Sequence, residues 1–491
     1  MGICQSNLTK IRKDELSTGH KPIPVDMANK VVQSICKITA TYDNSDRYTF
    51  GTGFFMNINP LNYLITSNHV ISKDIIYKNI EIKIHNNNIF KLKLENRDIQ
   101  SFPLPIDITI IEIKRYDDIY NDIIFLDYDN NFINNEYSMY KMVDIFTVAH
   151  PSREDVSSCA SGKVVNIENF EFEHDIDTDS GASGAPIILL NNNNNVIQVI
   201  GIHKGADTED NINVGTFIGE LIKNYKYNTK IKPVINNYNG DIDINYINID
   251  KNQRILKPYE EKIENERENG FEDLNMWSEP VPIDVINKVS KSICKIYVDR
   301  GSGTAFFMNI NSLKYLITAN HVLSKDKIDN DIEIEIHNHK KMKLQFKNRK
   351  FLFYPDPIDI TIIEIKKYDK VYNDIEWLDY DNSFIEIGYK IYKEANVFTI
   401  EHPLGKSASC ASGRITRIDF YEGISLFYHN ITSGLGLSGA PIILLNNNKV
   451  IGIHLGKDYE EGFNFGCFIG EIFMKRNYLN QKIYTKEMSL D

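Results

Sequence analysis

Three segments of this 491-residue chain occur twice: SGASGAPIILL at 180–190 returns as LGLSGAPIILL at 435–445, YLITSNHVISKD at 63–74 as YLITANHVLSKD at 315–326, and PIDITIIEIKRYD at 105–117 as PIDITIIEIKKYD at 357–369. The repeat reaches further upstream, where KPIPVDMANKVVQSICKI at 21–38 matches EPVPIDVINKVSKSICKI at 279–296. A chain built this way folds as two versions of one unit. Copy one runs from 21 to 225 and copy two from 279 to 478. Each has roughly 200 residues, enough to bury a full core. Residues 226–278 have no counterpart and form a polar linker, part helical at 257–268, with the charged run YEEKIENERENGFED at 259–273. Residues 1–20 precede the repeat, and 479–491 form a polar tail expected to fray.

Within each copy the apolar residues either alternate or run together over short stretches, as in GTGFFMNI (51–58), IEIKIH (80–85), ITIIEI (108–113), DIFTVAH (144–150) and VIQVIGIH (196–203). Asn-, Asp- and Gly-rich turns separate them. Many short strands with regular turns predict an all-β sandwich or barrel. Helix is expected only near 24–33 and 282–291, with a further turn at 116–122.

The balance of 67 acidic against 55 basic residues, a net charge of -12, speaks against binding nucleic acid through a broad basic surface. Of the six cysteines, Cys36 and Cys294 match between copies, as do Cys159 and Cys410; Cys4 and Cys467 stand apart. This is not a secreted disulfide framework, and reduced thiols in an intracellular compartment are expected. No apolar run is long enough to span a membrane. The opening MGICQS instead places Gly2 and Ser6 at the spacing for N-myristoylation, with Cys4 available for palmitoylation and Lys10, Arg12 and Lys13 following. A single myristoyl chain binds membranes marginally, so the second acyl chain or the basic residues are needed for an anchor. In a eukaryotic or viral host, that would place the protein at the cytoplasmic face of a membrane.

Each copy presents a histidine, an aspartate and a serine in one order: His69, Asp107 and Ser183, then His321, Asp359 and Ser438. The His-to-Asp spacing is 38 residues in both. His69 ends a strand, where a base can project into a cleft. Asp107 stands at the mouth of an apolar strand, where a carboxylate needs a partner such as an imidazole N–H. Ser183 lies in a glycine-rich turn that lets backbone N–H groups converge, with Gly181 (and Gly436 in copy two) at the candidate oxyanion hole. Any one element alone is as readily a surface histidine, a strand-end aspartate or a glycine turn. All three, in order and twice, specify nucleophilic acyl transfer. Histidines at 85/337, 150/402 and 203/454 also recur, so repetition alone does not select the base.

On S/A-N-H-V, P-I-D-I-T-I and G-x-S-G-A-P, both copies resemble the chymotrypsin-like (trypsin-like) serine proteases. HPLGKSASCASGRI (402–415) is also similar to a segment of the HtrA-like branch, and copy one lacks its first glycine. The resemblance implies two tandem double β-barrel domains of Greek-key strands, with a triad in each inter-barrel cleft. Secreted relatives carry Cys after the histidine, where Val70 and Val322 stand here. Members activated from a zymogen carry Asp before the nucleophile, where this chain has Ala182 and Leu437, so a salt bridge from a new N-terminus is not available. Leu437 is the more unusual of the two. GIHKG (201–205) and GIHLG (452–456) resemble the strand of glutamyl endopeptidases and picornavirus-type proteases whose histidine, with Thr or Ser five residues before the nucleophile, binds a Glu or Gln side chain. That resemblance implies substrate binding by Thr178 and His203 in copy one, and by Ser433 and His454 in copy two.

The sequence therefore predicts an intracellular tandem serine endopeptidase acting on protein or peptide substrates, with no metal, organic cofactor or nucleic acid. The alternative is a membrane-tethered binding or scaffold protein in which one or both copies are inactive, copy two being the weaker candidate.

Overall fold

In a computed structural model, the protein is described over residues 20–41, 48–58, 60–72, 80–92, 94, 97–133, 137–151, 156–190, 196–207, 212–228, 279–298, 301–327, 332–337, 339–346, 349–402, 407–432, 436–458 and 462–473. Gly2, Cys4, Ser433 and the expected helix at 257–268 lie outside the described residues.

Each copy contributes two sheets. The first sheet of copy one runs in space through Ile89–Lys91, Ile80–Ile84, Ile35–Thr41, Tyr48–Ile58, Leu61–Ser67, Ile108–Ile113 and Ile99–Phe102. Copy two repeats that order from Lys341–Leu344 to Phe351–Tyr354. Alternation decides which face is buried: in Ile80–Ile84 the three isoleucines point inward, whereas Ile108–Ile113 is buried at five of its six positions. The second sheet of copy one passes through Asp144–Ala149, Pro186–Leu189, Gln198–Asp207, Ile212–Phe217, Glu171–His174 and Ser158–Glu168, and the last strand pairs back on the first. That closure makes a six-stranded barrel with no free edge. Asn396–Glu401 and Ser409–Tyr421 close the barrel of copy two in the same way.

The two short helices form where expected, at Val25–Val32 and Ile283–Ser290. A third helix, Ile218–Asn228, was not anticipated, and it carries the chain past the expected end of copy one. It buries Ile218, Leu221, Ile222 and Tyr225, one face of an α-helix. The Tyr63 hydroxyl donates to that of Tyr225 at 2.9 Å, which ties this helix to the first sheet.

The copies are not side by side as separate units. The two-residue strand Ile23–Pro24 pairs with Ser409 and Cys410 of copy two, and Val281–Pro282 pairs with Ser158 and Cys159 of copy one. Each leader thus adds a strand to the other copy's closed barrel. The leaders' helices meet between the copies, where the Asn29 amide donates to Asn287 Oδ1 at 2.9 Å. Around them one apolar cluster is continuous from Phe146 and Cys159, through Val25, Met27, Ile283 and Ile286, to Phe398 and Cys410.

Candidate active site

The strand Leu61–Ser67 ends in a turn that presents His69, and the aspartate follows from the neighbouring strand. His69 Nδ1 lies 2.7 Å from Asp107 Oδ2, and the His69 backbone N–H donates to Asp107 Oδ1 at 2.9 Å. One carboxylate therefore fixes both the ring and the backbone of the base. To do so Asp107 takes the left-handed conformation (φ 58°), which Asp tolerates better than most residues. Copy two matches this: His321 Nδ1 to Asp359 Oδ2 is 2.5 Å, the backbone contact is 2.8 Å, and φ of Asp359 is 53°. Asp107 is buried while the His69 ring keeps part of its surface open, as a base facing a cleft requires. His85 is exposed, and the buried His150 uses its backbone N–H to hold Thr52. The structure thus singles out His69 among the repeated histidines.

The serine turn is seated against the first sheet by Thr52, which the sequence reading passed over within GTG. Thr52 donates from its N–H to the Ser183 carbonyl at 2.9 Å and from Oγ1 to the Gly181 carbonyl at 2.8 Å. Thr304 makes both bonds in copy two, at 3.1 and 2.8 Å. With their carbonyls held, the amides of Gly181 and Ser183 have no hydrogen-bond partner among the described residues. They are free to receive a developing oxyanion. Gly184 (φ 88°) turns the chain directly beneath, where a Cβ would collide with the Thr52 carbonyl. Gly436 and Gly439 take the same left-handed values, 114° and 89° against 97° and 88° in copy one. Leu437 is buried and leaves that turn unaltered, so its bulk does not distort copy two.

Neither serine hydroxyl is hydrogen-bonded to its histidine. Ser183 Oγ donates to the Lys204 carbonyl at 3.2 Å, and Ser438 Oγ makes no hydrogen bond among the described residues. Rotation about one Cα–Cβ bond re-aims such a hydroxyl. Lys204, next to His203, is itself buried, and its ammonium donates to the Pro105 carbonyl at 2.6 Å and to Glu171. Copy two has Leu455 and Leu426 at these two positions.

His203 is buried beside the site, and its Nδ1 lies 3.1 Å from Nε2 of His174. His454 and His429 repeat the pair at 3.1 Å. His174 and His429 were missed by the sequence reading, although each stands nine residues before its serine and could have been found by that spacing. Burial holds all four rings neutral. It lowers His174 and His429 to about 3, and with the partner ring and the base histidine it lowers His203 and His454 well below the usual value. The buried Nδ1 of His174 and of His429 has no hydrogen-bond partner among the described residues. A buried lone pair without a partner costs less than a buried N–H without one. Each outer ring therefore carries its proton on Nε2 and donates inward, which leaves His203 and His454 protonated on Nε2. Thr178 Oγ1 donates to Asn213 Oδ1 at 3.1 Å rather than to either imidazole.

Residues 302–453 match the family of the trypsin-like peptidase domain. The chain carries a trypsin-like peptidase domain. Serine endopeptidase is accordingly its enzyme class. No curated protein matches the chain. Among solved structures, the chain is similar to the inactive form of the Rv3671c protease of M. tuberculosis H37Rv, at 18% identity over 40% of this chain and 92% of that one, with a TM-score of 0.31. It is also similar to a serine endoprotease from Yersinia pestis, at 15% identity over 43% of this chain and 69% of that one, with a TM-score of 0.32. Among the described residues no cluster of His, Cys, Asp or Glu is arranged to hold a metal ion, and no helix is long and apolar enough to cross a membrane.

Proposed function

We propose that both copies of this serine endopeptidase cleave peptide bonds, each through its own triad, and that they cut after Glu or Gln. The observation that carries the reading is the doubled histidine–aspartate contact, with the same donors and the same strained aspartate in each copy. In copy one the hydroxyl of Ser183 turns to Nε2 of His69 and gives up its proton as Oγ attacks the scissile carbonyl. The amides of Gly181 and Ser183 take the oxyanion. His69, now charged and held by Asp107, returns the proton to the leaving amine, and water then hydrolyses the acyl-enzyme by the same route. His321, Asp359, Ser438 and Gly436 do this in copy two.

The preference for Glu or Gln follows from the neutral histidine pairs. An Nε2–H on His203 or His454 is a donor without charge, suited to the side-chain oxygen of either residue. Lys or Arg before the cut would bring a cation to a donor-only partner. A second reading, a scaffold with dormant sites, draws on the Ser183 hydroxyl facing the Lys204 carbonyl.

One experiment addresses both. Peptide phosphonates bearing Gln, Glu, Lys or Phe at the position before the reactive phosphorus are applied to the wild-type chain, Ser183→Ala, Ser438→Ala and the double variant. The expected result is labelling at both serines, lost one site at a time, with the Gln and Glu probes at least about tenfold faster than the others. Labelling led by Lys or Phe would sink the specificity. No labelling of folded wild-type protein would favour the scaffold.

A further inference from the structure

The leader of copy two lies beside the Ser183 turn, and that of copy one makes the matching strand pairing on copy two. Val281–Pro282 lies on Ser158–Cys159, and the Ile283 N–H donates to the Ser157 carbonyl at 2.9 Å. Pro280, one residue earlier, lines a cleft in copy one together with Thr178, Asp179 and Ala182. Ala182 directly precedes Ser183, and its amide donates to the Asp179 carbonyl at 3.0 Å. Ala149, Ala182 and Ala185 form a small apolar cluster beside the turn. The mirror contact is made by Ile23–Pro24 on Ser409–Cys410, with the Val25 N–H donating to the Ala408 carbonyl at 2.9 Å.

We infer that each leader is a positioning element for the other copy's nucleophile turn, so that residues 280–283 complete the Ser183 site and residues 23–25 complete the Ser438 site. The inference rests on the reading of Ser183 and Ser438 as nucleophiles. It couples the two active sites: each leader adds to the hold that Thr52 or Thr304, of the turn's own copy, gives the turn. Dependence is expected to be greater in copy one, where Pro280 lines the cleft with the small Ala182; copy two carries the larger, buried Leu437 at that turn position.

The geometry offers a narrow test. Ile283 and Val25 are the first residues of their helices, each preceded by a proline in an extended conformation (ψ 135° and 127°). Proline is accepted at a first helical position and after such a residue. Ile283→Pro and Val25→Pro therefore spare the helix while removing the N–H that donates to the Ser157 or the Ala408 carbonyl of the other copy. Rates of fluorophosphonate labelling are read separately at Ser183 and Ser438 by mass spectrometry of the full chain. Ile283→Pro is expected to slow Ser183 at least about tenfold with Ser438 within about twofold of wild type, and Val25→Pro to do the reverse by a smaller factor. Ile283→Val, which keeps the N–H, is expected to leave both rates unchanged.

Unaltered rates in folded proline variants overturn the inference, as does a loss on the leader's own copy. Hydrogen exchange on the wild-type chain gives the same answer without a variant: occupying Ser183 with the probe should slow exchange at the Ile283 amide and leave Val25 as it was. An unchanged Ile283 amide also overturns it. If the wild-type chain labels at neither serine, the protease reading falls and takes this inference with it, whereas labelled wild type with indifferent variants defeats the inference alone.

Discussion

A carboxylate that satisfies both the ring and the backbone of one histidine leaves that histidine a single orientation, which is why Asp107 and Asp359 accept a left-handed backbone. The contact of His69 with Asp107 was legible in the sequence because each lies in a motif that recurs with a fixed spacing of 38 residues. His174 recurs just as faithfully and was overlooked, since in EFEH it reads as one more inward position of an alternating strand. Its importance comes from a ring 29 positions later, which only the pairing of sheets brings within 3.1 Å. The four neutral rings make a pH prediction. Their folded values are lowered, so as pH falls below about 6.5 the unfolded chain takes up protons that the folded chain refuses. Stability from this source is present above about 6.5 and is lost as pH falls toward 3, by about 1.4 kcal/mol per pH unit for each such ring. Urea midpoints should therefore drop between pH 7 and pH 4.5, and the His174→Gln/His429→Gln chain should show a shallower slope. Parallel profiles for the two proteins would refute the assignment.

Strands were read from the sequence with good placement because their alternation is a local property of the chain. The helix Ile218–Asn228 was not, although Ile218, Leu221, Ile222 and Tyr225 follow a helical period. The Lys and Asn residues between them look like linker, and the surface they cover is made by Tyr63 and its neighbours far upstream. At this scale the copies differ where the side chains of Glu171 and Lys204 meet across the intervening strand Ile212–Phe217. Copy one closes that seam with a buried ammonium shared by Glu171 and the Pro105 carbonyl, copy two with Leu426 and Leu455. Removing one member of a buried pair strands the other, whereas an apolar pair of similar size is tolerated. Lys204→Leu is expected to cost about 2–3 kcal/mol, and adding Glu171→Leu should recover all but about 1 kcal/mol. Denaturant unfolding followed by tryptophan-independent circular dichroism measures both; additive losses in the double variant would mean that the two residues do not act as a pair.

For the molecule as a whole, the sequence announced two copies and said nothing of how they meet. The reason is physical. The leaders KPIPVD and EPVPID offer nearly the same edge, and their receiving strands, SCASGK at 158–163 and SCASGR at 409–414, are all but identical. Each leader would pair as well with its own barrel as with the other, so no local preference distinguishes exchange from independence. What accompanies the exchange is global: with the leaders crossed, the two helices and the continuous apolar cluster bury together. One cluster predicts one unfolding event. Nicking the chain by limited proteolysis within 229–278 should leave both halves eluting together on gel filtration in native buffer; halves that separate would show that the exchange contributes little cohesion.

The linker acquires a role from the crossed leaders that its composition does not suggest. Two free single-copy proteins exchanging strands would do so at a rate and extent set by their concentration, and would part on dilution. Tied through residues 229–278, the partner is always present at an effective concentration on the order of millimolar, whatever the abundance of the protein. Duplication of the gene would thus have turned a concentration-dependent encounter into an intramolecular constant, and it also binds the evolution of the halves together. A substitution in one leader is felt in the other half's barrel, so neither copy drifts alone.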